Sequence, residues 1–198
     1  MKITGVRFLP LRCPLAKPVP FSLGTMTHRQ FALVIIDTDE GIQGVGETSV
    51  NFPGFSVWER KATVEEGIRP LLVGENPLQI EYLWHKMVEG LRRLGLQWGA
   101  PGPMMQAIAG ADIALWDIAG KAMGQPVYQL LGGAWRTRIP CYATGLDPSD
   151  IETSASRAVE QGFRAIKLRV GFHPDRDVEL VRRARSAVGD GVEILIDA

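Results

Sequence analysis

The order strand–helix–strand–helix–strand at the C-terminal end constrains this chain more than any other feature of it. Residues 139–144 (IPCYAT), 165–170 (AIKLRV) and 192–197 (VEILID) each read as a strand. Between them, Ser149-Asp150-Ile151-Glu152 opens a helix that Gly162 ends, and Pro174 to Val188 forms a second that Gly189 ends. That order at this spacing implies parallel strands joined by crossover helices. Parallel strands are normally buried on both faces, so three alone make a poor sheet with an open edge. A closed (β/α)8 barrel takes roughly 250 residues. The expectation is therefore a truncated barrel, of which the chain holds only the first β/α units.

The preceding residues follow a different plan. Residues 3–8 (ITGVRF) alternate, and Pro10 and Pro14 close that strand. Residues 30–37 (QFALVIID) are a β-rich run, 38–41 (TDEG) a turn, and 42–47 (IQGVGE) the returning arm of a hairpin. A three-stranded antiparallel sheet results, with a Pro-rich loop at 17–27 between the first two strands. From about residue 56 the period becomes helical. Ser56-Val57-Trp58-Glu59 has a capping-box pattern, and Asn76-Pro77 sets an N-cap before a proline. A strong helix is predicted from about Pro103 to Met123 on the spacing of Met104, Ile108, Ala111, Leu115, Ile118 and Ala122, stopped by Gly124 and Pro126. The reading is an α+β domain over 1–125, ending in a linker helix, then the start of a barrel over 126–198.

Composition narrows the partners. Lys plus Arg and Asp plus Glu both number 22, which gives no electrostatic case for nucleic acid or an anionic membrane surface. No apolar run approaches the length of a membrane span, and no apolar segment follows Lys2 as a secretory signal requires. A cytoplasmic protein is expected. Cys13 and Cys141 lack a CxxC partner and are read as small buried hydrophobes.

The chemistry concentrates in the last two strands. Lys167 and Arg169 are two apart and share a face, with Ile166, Leu168 and Val170 on the other. In the next strand Glu193, Leu195 and Asp197 share a face, and Asp197 falls at the carboxyl end, where barrel enzymes keep their active sites. Charges converging there cost desolvation energy unless they are paired or bind something. Geometry alone leaves open a purely structural Lys–Asp pair.

The segment 112–133, DIALWDIAGKAMGQPVYQLLGG, resembles the linker helix and barrel entry of the mandelate racemase and muconate-lactonising family of the enolase superfamily. The strand 139–142 (IPCY), the run 163–171 (FRAIKLRVG) at the family's Lys-x-Lys strand, and the closing 196–198 (IDA) come after it in order. The resemblance implies a capping domain and the start of a TIM barrel. It implies abstraction of a proton α to a substrate carboxylate, with Mg2+ as cofactor neutralising the developing charge. Asp197 matches the first of three carboxylate metal ligands, and oxygen donors suit Mg2+. The other ligands and any opposing base would lie past residue 198.

One departure from the family matters. The position of its usual base, the second lysine of Lys-x-Lys, is Arg169 here. A guanidinium stays protonated and is a poor base but a good carboxylate clamp. Arg169 is thus expected to orient substrate, and Lys167 to act electrostatically or, with a depressed pKa, as base. This favours one-sided chemistry: dehydration of a sugar acid first, then racemisation or epimerisation, then cycloisomerisation. A different class of answer is a catalytically inert fragment or binding module. The resemblance also implies a small carboxylate substrate, a homo-oligomer, and two cap loops that set specificity. These correspond to 18–27 and 49–55, making Phe21, Phe52, Phe55 and His28 candidate substrate contacts. Packing of the aromatics on their own domain is an equal reading. The glycine-rich 41–46 (GIQGVG) sits in a hairpin and fails the test for a dinucleotide-binding turn.

Overall fold

The computed structural model describes residues 1–21, 24–50 and 53–198, with the side chains of residues 20 and 21 outside that set. Two compact units form, one from Met1–Pro20 and Thr25–Ala134, the other chiefly from Trp135–Ala198. Among the described residues no helix is long and apolar enough to cross a membrane.

The first unit holds a three-stranded sheet in the order β1 (Ile3–Phe21), β2 (Gly24–Thr38), β3 (Gln43–Thr48). β2 and β3 pair antiparallel from Ala32 opposite Thr48 to Asp37 opposite Gln43, around a turn in which Gly41 takes φ +77°. Prolines do not close the first strand as the sequence suggests, and 17–27 is not a plain loop, because β1 runs on to Phe21 and β2 starts at Gly24. β1 is an edge strand, and an edge strand tolerates proline where the missing N–H would face away from its partner. The Phe8 N–H already turns away from β2, to the Glu65 carboxylate at 3.3 Å, and Pro10 and Pro14 keep the parity of Phe8. Beyond Phe8 the ribbon leaves the core and is largely exposed, and Cys13 is exposed with it.

Helices cover one face of this sheet. α1 (Ser56–Ala62) runs through a π-helical turn at Thr63–Ile68 into α2 (Arg69–Leu72), and α3 (Ile80–Gln97) packs beside α4 (Pro101–Met123). Neither of the two upstream caps forms as predicted. The Ser56 hydroxyl reaches the Val50 carbonyl rather than a helix N–H, and Asn76 accepts from Leu78 N in a turn before α3, which starts only at Ile80. The long helix forms with a stripe of Met104, Ile108, Ala111, Leu115 and Ile118 in the core, while Ala122 lies exposed in its last turn. Gly124 at φ +62° ends it, donating to the Lys121 carbonyl. The short α5 (Val127–Leu130) comes next.

What brings α4 against the sheet is the absence of side chains. A Cβ on Gly44 would lie 2.1 Å from the Ala114 carbonyl oxygen, and one on Gly46 would lie 2.0 Å from that of Gly110. The glycine-rich hairpin is therefore a close helix–strand crossing. Asp117 pins it, accepting from Val45 N at 2.8 Å and from Lys121 Nζ at 2.7 Å.

In the second unit β4 (Ala165–Arg169) and β5 (Glu193–Asp197) pair in parallel, from Ala165 opposite Glu193 to Arg169 opposite Asp197. α6 (Ile151–Glu160) and α7 (Pro174–Val188) supply Ile151, Ala155, Ala158, Leu180 and Ala184, which bury Ile166 and Leu168. The strand expected at 139–144 contracts to a single parallel bridge, Ala143 to Ile166. Among the described residues it pairs on one side only, Pro140 cannot donate, and Ile139 is 77% exposed. Cys141, expected to be buried, is exposed on this segment.

Arg183 Nε and Nη2 each donate to Glu152 at 2.6 Å, tying α7 to α6. Those bonds hold the Glu152 carboxyl down to about 2. The folded group thus titrates below its unfolded range, so its contribution is present above the ordinary carboxylate value and is lost as pH falls toward about 2. Arg183→Ala is expected to lower the thermal midpoint near neutral pH at low salt, and to match wild type at the acid end. A deficit that persists in acid would assign the effect to lost packing instead.

Candidate active site

β4 alternates its two faces as its sequence demands. Ile166 and Leu168 are buried against α6 and α7, while Lys167 is half-buried and Arg169 exposed on the opposite face. Parallel pairing sets Lys167 beside Leu195 and Arg169 beside Asp197. The Lys167 ammonium crosses to the neighbouring strand and meets Asp197 Oδ2 at 3.0 Å. Backbone bonds fix both strand ends, from Lys167 N to the Ala143 carbonyl at 2.8 Å and from Val170 N to the Asp197 carbonyl at 2.9 Å.

Stability alone gives no reason for this pair. With the Lys167 and Asp197 side chains 26% and 50% exposed, a single ion pair contributes about 0–1 kcal/mol. The apolar packing of Ile166 and Leu168 holds the strands without it. The contact sets an amine beside a carboxylate at the strands' carboxyl ends, two polar groups of the kind that chemistry at a barrel mouth requires.

Arg169 is not drawn into that pair. It lines a cavity of about 380 Å³ together with Phe172, His173, Arg176, Asp177 and Leu180. The Asp177 carboxylate there is already spent on the N–H groups of Gly171 and His173, at 2.9 and 3.2 Å. Of the three residues expected to work together, the structure joins Lys167 and Asp197 and sets Arg169 at the strand end beside them.

For a divalent cation the donor chemistry fits in part. Asp197 offers exposed carboxylate oxygen, the hard donor Mg2+ prefers, but among the described residues no three His, Cys, Asp or Glu gather as a ligand set. Asp197 would be one ligand and the rest must come from elsewhere.

Of the expected cap residues, His28 and Phe55 lie in the first unit. His28 stands on β2 with its ring Nδ1 3.1 Å from Arg12 Nη2 and 3.0 Å from Thr27 Oγ1. Phe55 precedes α1 and is 75% exposed. Phe52 and the Phe21 side chain lie outside the described residues. Sequence reasoning passed over Arg12 altogether, since a lone arginine in an irregular stretch carries no signal until its cross-strand partner is known. It also passed over Arg60, 4% exposed and bonded to Glu59 and Gln106 between α1 and α4. Burial holds its guanidinium below the ordinary value.

Residues 3–132 match the model of the mandelate racemase/muconate lactonizing enzyme N-terminal domain. The chain belongs to that family. Residues 150–198 match the enolase C-terminal domain-like model. A D-galactarolactone cycloisomerase from Agrobacterium fabrum is 34% identical over 205 residues, covering 100% of this chain and 52% of the relative. An arabinonate dehydratase from Saccharolobus solfataricus is 35% identical over 170 residues, covering 82% and 43%. The crystal structure of a racemase from Streptomyces coelicolor with bound magnesium superposes at a TM-score of 0.86, with 32% identity, over 99% of this chain and 55% of that one. The family's relatives are thus enzymes of three reaction types, and the chain spans about half their length.

Proposed function

We propose that the whole protein is a Mg2+-dependent enzyme that abstracts the proton α to a substrate carboxylate, with dehydration of an acid sugar as its reaction. The observation that carries this is the Lys167–Asp197 pair, 3.0 Å apart on adjacent parallel strands, in a chain of this family. Mg2+ supplies charge neutralisation at the substrate carboxylate. Asp197 would be one of its ligands, Lys167 carries the proton, and Arg169, permanently cationic, orients the carboxylate. Racemisation, epimerisation and cycloisomerisation are the alternatives. Racemisation and cycloisomerisation are named for other relatives, and all three differ from dehydration only in the steps after proton removal. Self-association into a homo-oligomer belongs to the same reading.

The test uses the full-length protein stripped with EDTA and reloaded with Mg2+, screened against acid sugars and other α-hydroxy or α-amino carboxylates in D2O. Metal-dependent exchange or loss of the α-proton is expected for at least one substrate, with a 2-keto-3-deoxy acid as product if dehydration is correct. A reloaded enzyme that leaves every α-proton in place would sink the reading. Exchange without elimination would move it to racemisation.

A further inference from the structure

At the carboxyl end of β4 the chain turns through residues 170–173 into α7. Asp177, in the first turn of that helix, reaches back with one carboxylate oxygen to the N–H groups of Gly171 and His173, at 2.9 and 3.2 Å. The turn held in this way brings Arg169, at the strand end, and Arg176, at the start of α7, to one cavity of about 380 Å³. All of its lining belongs to the second unit. Neither guanidinium has an ion pair or hydrogen bond among the described residues.

The nearby acids do not answer these two charges. Arg183, the third arginine of the lining, holds Glu152 through two bonds of 2.6 Å. Glu179 lies 4.0 Å from Arg182. Arg169 and Arg176 are then set against Asp177 alone, which leaves one positive charge over, carried on two planar forks of N–H donors without an acceptor. Phe172, 50% exposed, and Leu180 add an apolar wall beside them. An apolar wall with a few convergent polar groups is what a small-molecule site is made of.

We propose that this cavity is an oxyanion site, in which Arg169 and Arg176 together hold one carboxylate or phosphate group of a small organic molecule against Phe172. A singly charged oxyanion balances the surplus, and guanidinium forks match paired oxygens, which a halide does not offer. The site goes beyond the proposed function, which gives Arg169 a carboxylate to orient but assigns nothing to Arg176. The group it takes belongs to that substrate or to a ligand of its own, and the experiment separates the two.

Full-length protein labelled with 15N-arginine reports each guanidinium through its Nε–H signal, and Arg169→Lys and Arg176→Lys identify the two of interest. Acetate and inorganic phosphate are titrated at constant ionic strength made up with chloride. Both signals are expected to shift together and to saturate with one dissociation constant for at least one of these anions. Arg176→Met is expected to raise that constant about tenfold or more, and Arg176→Lys, which keeps the charge without the fork, to raise it less. Arg182→Met, which alters a side chain outside the lining, is expected to leave it unchanged. Absence of saturation with both anions, or a constant unchanged in Arg176→Met, overturns the proposal. Kinetics at saturating Mg2+ then name the source. A bound anion that raises KM and leaves kcat alone occupies the place of a substrate group, and one that changes kcat at saturating substrate stands for a separate ligand; both results support the site. Absence of turnover counts against the proposed function alone, and the titration then decides this proposal by itself.

Discussion

Gly46→Ala is expected to destabilise the first unit by about 3 kcal/mol or more, at the upper end of what overpacking costs and a large share of a typical domain's total of about 5–15 kcal/mol. The added Cβ would sit 2.0 Å from the Gly110 carbonyl oxygen and 2.8 Å from Ala114 N. Both are backbone atoms of α4, so no rotamer change relieves the clash, and the helix must lift off the strand. Lifting it would open the packing of Ala111, Leu115 and Ile118 and pull Asp117 from Val45 N. Gly41→Ala is the matched control. It has nothing within 4 Å but holds φ +77°, so its cost is the backbone term of about 1–2 kcal/mol. Urea unfolding followed by tryptophan fluorescence separates the two. Equal midpoints would mean that the close approach of β3 and α4 is not a strict packing constraint.

On the proposed function, Lys167→Met in the full-length protein is expected to lower kcat by about 10²–10⁴, the usual contribution of a positioned proton-transfer group. The thermal midpoint should barely move, because the lost ion pair is exposed and contributes about 0–1 kcal/mol. That combination is what separates a catalytic lysine from a structural one. Asp197→Asn removes the charge that pairs with Lys167 and that the proposed cation would share, and is expected to weaken Mg2+ activation, read as a rise in the Mg2+ concentration needed for half-maximal rate. If Lys167→Met loses stability and keeps its rate, the pair is structural and the base must be sought elsewhere in the protein. If it keeps both, Arg169 becomes the residue to test next, as a clamp that raises KM when lost.

The two halves of this molecule differ in how plainly the sequence announces them. α7 is found from Pro174 to Val188 as read, because a proline start, a helical period and a terminal glycine are all local signals. β4 and β5 are likewise short runs whose alternation stands in the residues themselves, and the family resemblance rests on such runs in order. The face shared by Lys167 and Arg169 comes from the two-residue period of any strand. The ribbon was harder. Prolines argue against a strand wherever they stand, and only the edge position of β1 makes Pro10 and Pro14 harmless. The glycines at 44 and 46 carry no local reason for being glycine at all, since their constraint comes from a helix more than sixty residues later in the chain.

The residues alone carry the long helix ending at Met123, the helix at 174–188, the alternating faces of β4 and β5 and the charges at their ends, through periods of two or 3.6 residues. The family is carried by the resemblance of particular segments, 112–133 and 163–171 above all. Only the tertiary structure decided that Lys167 reaches Asp197 while Arg169 faces a separate cavity, that the strand at 139–144 shrinks to one bridge, and that Arg12 lies against His28. Each of these turns on pairing and register between distant segments, where a shift of one residue would reverse which side chains meet.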